Sequence, residues 1–139
     1  MRNNDEVYGF CELLHTADRM LKVWAPDYIN LLIQSANGMY SLLDIEKGQD
    51  LPVTQTISLT AEDDESLLVQ FLTELLYFLD EKDVVFDTYK LKKDIDGLNG
   101  KLIGTKIVKV NQVIKAVTYH NLEIVKAAER LEVQIVFDV

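Results

Sequence analysis

The chain has 139 residues, with 14 basic against 23 acidic side chains, a formal net charge of −9 and 48% hydrophobic residues. That length corresponds to one domain over residues 1–139, and a chain of this size buries enough surface to fold without a disulfide or metal staple. The acid surplus counts against a general nucleic-acid binder, which holds phosphates with a net basic face, but leaves room for a local basic patch or a cation site.

Cys11 is the single cysteine, so an intrachain disulfide, a CxxC redox pair and a thiolate zinc cage are all excluded. The N-terminus lacks the apolar core of a signal peptide and no apolar run approaches the length of a membrane span, so a cytoplasmic protein without membrane insertion is expected.

In chain order, short strands are expected at 6–13 and 20–25. A helix follows, on which Ile29, Leu32, Ile33, Ala36, Met39, Tyr40 and Leu43 form one stripe, with Asp27 as its cap. Gly38 lies inside that helix and weakens it by up to about 1 kcal/mol relative to alanine. Residues 53–60 alternate strictly between apolar and polar, as a half-buried strand does. A stronger helix carries Leu67, Leu68, Phe71, Leu72, Leu75, Leu76 and Leu79, preceded by Glu62, Asp63, Asp64 and Glu65, which suit the positive end of its dipole. Strands are expected at 84–92, 101–110, 113–119, 122–127 and 131–138. A turn is expected at Gly97–Leu98–Asn99–Gly100, and hairpin turns at Asn111–Gln112 and His120–Asn121. Leu131, Val133, Ile135 and Phe137 should point inward and Glu132, Gln134, Val136 and Asp138 outward. The whole reads as a single compact α+β domain, two main helices packed on a mostly antiparallel β-sheet arrangement.

Charge is uneven. Residues 1–69 carry 12 acidic and 4 basic side chains, residues 70–139 carry 11 and 10. Lys90, Lys92, Lys93, Lys101, Lys106, Lys109 and Lys115 crowd the second half. Solvated strand edges, where lysine discourages sheet-to-sheet pairing, explain most of them; the charge asymmetry would also steer a partner.

Three places carry candidate chemistry. His15–Thr16–Ala17–Asp18 sets a histidine three residues from a carboxylate, fit for metal binding or acid–base work, or equally for capping a turn. In Lys115–Ala116–Val117–Thr118–Tyr119–His120, a lysine in an apolar run either snorkels to solvent or meets an anion. In Phe137–Asp138–Val139, Asp138 and the Val139 carboxylate set two anionic groups side by side; with Asp18 alongside, three hard oxygen donors suit Ca²⁺ or Mg²⁺ rather than zinc. An exposed aspartate near a frayed terminus is the plainer reading. Cys11 is either a nucleophile with His15 or His120 or a small core residue. Glycine-rich phosphate loops, GxSxG elbows, HExxH and EF-hand loops are missing.

Taken together and in order, these segments resemble the archease family. The match rests on His15–Thr16–Ala17–Asp18, the helix from Leu67 to Tyr77, Lys115 to His120, and Val136–Phe137–Asp138–Val139. The resemblance implies a non-catalytic, chaperone-like accessory protein of the RtcB-type RNA ligase, which joins RNA ends in tRNA splicing and RNA repair using GTP and divalent metal. Such proteins promote guanylylation of the ligase and its multiple turnover. The resemblance further implies a divalent cation, Ca²⁺ or else Mg²⁺ or Mn²⁺, held by Asp18, Asp138 and the Val139 carboxylate. His15, Lys115 and His120 are the next candidates, as a partner surface. RNA would be met only through the ligase, and DNA is not expected as a partner. The sequence departs from the family pattern at Arg19–Met20–Leu21, where small apolar residues are frequent, and at Phe71 and Thr73, where Trp and Asn are. The rival class is a small metal-dependent hydrolase or phosphoryl-transfer enzyme using His15, Asp18 and His120; a third is a module whose lysine-bearing strands bind RNA directly.

Overall fold

The computed structural model describes residues 7–14 and 17–139. Its elements are β1 (Gly9–Leu13), β2 (Arg19–Ala25), α1 (Tyr28–Leu43), β3 (Ile45–Lys47), β4 (Val53–Thr60), α2 (Asp64–Lys82), β5 (Val84–Lys93), β6 (Gly97–Val110), β7 (Ala116–Val117), β8 (Val125–Ala127) and β9 (Arg130–Asp138). Both helices begin as their sequences dictate. The Asp27 carboxylate accepts from the Asn30 N–H at 2.8 Å and the Asp63 carboxylate from the Ser66 N–H at 2.7 Å, each satisfying a donor that has no partner within its helix. Both also end on an aspartate in the left-handed region, Asp44 at φ 52° and Asp83 at φ 55°.

The strands form two sheets, with all pairings antiparallel. One runs β1-β2-β9-β7, with β8 also on β9; in the other, β6 pairs with β3, β4 and β5. Helix α1 packs on β1 and β2 of the first sheet and on β5 of the second, while α2 reaches β7 of the first and β4 and β5 of the second. The helices thus join the two sheets through one core, in which Leu21, Val23, Ile135 and Phe137 meet Leu31, Leu32, Phe71 and Leu72. This is the α+β arrangement expected.

Several local expectations are corrected. Gly97–Gly100 is not a turn but the start of β6, and the reversal comes earlier, where the Asp94 N–H donates to the Gly97 carbonyl at 2.9 Å. The glycines serve close backbone approach: a Cβ on Gly97 would run into the Leu59 carbonyl, and one on Gly100 would lie 2.9 Å from the Lys90 carbonyl. Asn111–Gln112 is no hairpin either. Its N–H groups donate to the carbonyls of Asp44 and Leu43 at the end of α1, and there the chain crosses from one sheet to the other. His120–Asn121 does turn, but β7 and β8 on either side pair with β9 and not with each other. The strand expected at 113–119 shrinks to Ala116–Val117. Val136, expected outward, is buried; it lies on a central strand, opposite Met20 of β2. Lysines at strand edges hold for Lys90, Lys92 and Lys93 on β5, but Lys101 sits on β6, which has β4 on one side and β5 on the other.

Candidate functional site at one end of the five-stranded sheet

The strand that gathers the candidate residues is β9. Its ladder with β2 closes on Arg19 opposite Phe137. Asp18 immediately precedes Arg19 and Asp138 immediately follows Phe137, so the two aspartates leave the ladder at the same end. On the other edge of β9, Ala116 is the partner of Asp138, and the Lys115 N–H donates to the Asp138 carbonyl at 2.7 Å. Val139 follows, 39% exposed. Asp18, Lys115 and the adjacent pair Asp138–Val139, from three separate segments of the chain, therefore share one tip.

Strand alternation sorts their side chains. Phe137 and Val117 are opposite each other and buried in the core, so the next residues, Asp138 and Ala116, point to the other face and are exposed. Arg19 shares the face of Phe137. Its guanidinium reaches Glu12 on β1, with Nε to Oε2 at 2.8 Å and Nη2 to Oε1 at 2.9 Å, and Nη1 donates to the Leu42 carbonyl at 2.8 Å. The Arg19 hydrogen bond holds the Glu12 carboxyl below its ordinary value, outweighing the opposing cost of burial, and the Arg19 charge adds the smallest share. Sequence alone sets Arg19 beside Asp18; the fold directs it toward Glu12. The partner Glu12 was not legible beforehand, since it depends on the pairing of β1 with β2.

The donor set at the tip is oxygen throughout, which is chemistry for hard cations. Among the described residues no group of three or more His, Cys, Asp and Glu side chains gathers as metal ligands. Two aspartates alone leave such a cation short of oxygen ligands.

The remaining candidates divide. His15 lies outside the described residues. His120 is exposed in the turn after β7, with its Nε2 3.2 Å from Asn121 Nδ2. Since the Thr118 N–H already bonds the Val136 carbonyl, His120 lies further along the sheet, away from the tip. Lys115 is exposed while its neighbour Ile114 is buried. It stands at the edge of a groove of about 580 Å³ between α2 and β7, with Glu74, Asp80, Tyr77 and Tyr119 among the lining residues. Those α2 residues appear in the sequence only as the polar side of an amphipathic helix. Cys11 is half-buried on β1, opposite Lys22.

Fold and tip together define a small two-sheet α+β protein with an acidic end and no transmembrane helix among the described residues. The model of the Archease protein family (MTH1598/TM1083) matches residues 10–139. The chain is 29% identical over 134 residues to protein archease of Methanosarcina barkeri, covering 90% of this chain and 92% of that protein. It is 31% identical over 118 residues to that of Pyrococcus furiosus, covering 79% and 83%. The solution structure of Methanobacterium thermoautotrophicum protein 1598 superposes with a TM-score of 0.71 at 24% identity, covering 94% of this chain and 99% of that one. The crystal structure of an archease, possible chaperone, from Thermotoga maritima gives a TM-score of 0.70 at 23% identity, covering 91% and 94%. The chain belongs to the archease family.

Proposed function

We propose that this protein is a non-catalytic, chaperone-like accessory factor of an RtcB-type RNA ligase, acting in the cytoplasm in tRNA splicing and RNA repair. It promotes guanylylation of the ligase and its multiple turnover. The observation that carries this reading is the shared end of β2 and β9, where Asp18 and Asp138 leave one ladder together with Lys115 bonded alongside. Family membership supports it, as does the description of the Thermotoga maritima archease as a possible chaperone.

Asp18, Asp138 and the Val139 carboxylate would hold a divalent cation, Ca²⁺ in the first place, because its coordination is flexible where that of Mg²⁺ is strictly octahedral. When bound, the cation supplies a compact positive charge to a partner's nucleotide-binding cleft. The chain's own residues fix where that charge sits. The Lys115 N–H bond to the Asp138 carbonyl holds that end of β9 on its β7 edge, and the exposed Lys115 ammonium, at the edge of the groove between α2 and β7, is suited to a phosphate or a carboxylate. An accessory factor of this kind works by binding one state of its partner better than another, and the bias cannot exceed that difference in affinity. The acidic tip itself meets RNA only through the ligase in this reading.

The test is ligation by the cognate ligase at substoichiometric enzyme, with and without this protein. Many turnovers only in its presence are expected. Unchanged turnover would remove the reading.

A further inference from the structure

The outer face of the four-stranded sheet carries a basic patch that edge protection explains for Lys90 and Lys92 on β5 but not for Lys101 on the central strand β6. Lys90 on β5 is directly opposite Lys101 on β6, and Lys92 is opposite Asn99. Across β6, Lys101 faces Thr56 and Asn99 faces Ser58 on β4. By strand alternation these side chains share one face, together with Thr54 and Thr88, whose partner is Ile103, and all but the half-buried Ile103 are exposed. The opposite face, with Ile57 and Leu102, turns to the core.

Like charges directly opposite each other destabilise a sheet, and the central position of Lys101 gives it no edge to protect. Among the described residues, Lys90, Lys92 and Lys101 form no ion pair. Lys93 differs: it points to the other face, 3.4 Å from Asp64 and over the Tyr28 ring. Two carboxylates border the patch, Asp94 at the hairpin end accepting from Asn99 Nδ2 at 2.9 Å and Asp87 at the bulge accepting from Thr88 Oγ1 at 3.1 Å. The patch is therefore a cluster of three lysines outside any ion pair among the described residues, within a chain of net charge −9 and flanked by rows of hydroxyl groups.

We propose that this face binds the sugar–phosphate backbone of duplex RNA. A protein partner would be anchored by aromatic or large apolar side chains at the centre of the contact, and here only Ile103 is apolar. Stacking of single-stranded bases needs aromatic platforms, and the face has none. Lysines with Ser, Thr and Asn side chains are the groups that contact phosphate and sugar. The wide, shallow minor groove of an A-form duplex presents 2′-hydroxyls, both donor and acceptor, which the exposed hydroxyl and amide groups of this face can meet. The proposal goes beyond the ligase reading and does not depend on it.

The test uses the full chain and a 16-base-pair RNA duplex of arbitrary sequence, without ligase. Three phosphate contacts should make affinity fall about 40-fold between 50 and 200 mM salt. The triple variant Lys90→Gln/Lys92→Gln/Lys101→Gln should lose at least about tenfold in affinity. The variant Lys47→Gln/Lys82→Gln/Lys126→Gln, with the same change in net charge, should lose far less. Thermal unfolding of the first variant should be unchanged or shifted upward, since a like-charge pair has been removed. The proposal fails if the RNA duplex does not bind at 50 mM salt, or if the two triple variants weaken it equally. It also fails if a DNA duplex of the same sequence or a polyglutamate chain binds this face as well as RNA does.

Discussion

Arg19 grips Glu12 with two parallel hydrogen bonds, at 2.8 and 2.9 Å, on the face of β2 that continues toward the core. The base that sequence order sets next to Asp18 is thereby committed to another carboxylate and to the Leu42 carbonyl at the end of α1. The departure from the family pattern at Arg19 thus ties β1, β2 and α1 together and leaves the acidic character of the tip in place. Both side chains are partly exposed, so replacing Glu12 with Gln is expected to cost no more than about 1 kcal/mol. The Glu12 carboxyl is held below its ordinary value, 4.5. Its contribution is therefore complete above that value and lost as pH falls through the lowered one. Thermal unfolding of the parent and of Glu12→Gln between pH 7 and pH 2 should show a gap that closes in acid; a gap that widens there would contradict the assignment.

At the alkaline end the sign reverses. Burial raises the phenols of Tyr40 and Tyr89 above their ordinary value of 10.0. The Tyr89 hydroxyl donates to the Phe86 carbonyl at 2.8 Å, and the Tyr40 oxygen accepts from the Phe86 N–H at 3.3 Å. Their protonated state supports the fold fully below pH 10, and that support is lost as pH rises further. Phenolate absorbance near 295 nm and circular dichroism should therefore report ionisation of these two together with unfolding. Tyr89→Phe should move the alkaline midpoint upward while costing about 1 kcal/mol near neutrality for the lost hydrogen bond.

Gly38 reverses its sequence expectation. In an exposed helix, alanine would be better by up to about 1 kcal/mol, but a Cβ here would press on Leu21 and lie 3.1 Å from the Phe10 ring. Helix α1 sits close on β1 and β2 at this position, so Gly38→Ala should destabilise by about 1–3 kcal/mol through overpacking. Gly104→Ala should cost more, because its Cβ would meet the Val85 carbonyl, and backbone at a bulged strand cannot step aside as a leucine can. Urea unfolding of both variants checks the order; a stabilised Gly38→Ala would show that the helix contact is loose.

The features legible in the sequence are those with a local cause. Asp27 caps α1 and the acidic run leads into α2 because a helix N-terminus needs acceptors within three residues. The strand 53–60 is found at its expected bounds because strict alternation has one reading. Gly97 and Gly100 misled because glycine serves bends and close approach alike, and only the neighbouring strands decide which. Asn111–Gln112 misled because the choice between returning to the same sheet and crossing to the other lies in contacts with the end of α1. For the tip, residue types were legible and their proximity was not. It depends on the register of β2 and β7 against β9, which no spacing along the chain encodes.

Stimulation of the cognate RNA ligase by Asp138→Ala, compared with the parent protein at substoichiometric ligase, tests the role of the tip most directly. The Asp138 side chain is exposed and its carbonyl keeps the bond from Lys115 in the variant, so the unfolding temperature should stay within a degree or two of the parent. With the fold intact, stimulation should be abolished. Full stimulation by Asp138→Ala would contradict the assignment of Asp18, Asp138 and Val139 as the functional centre.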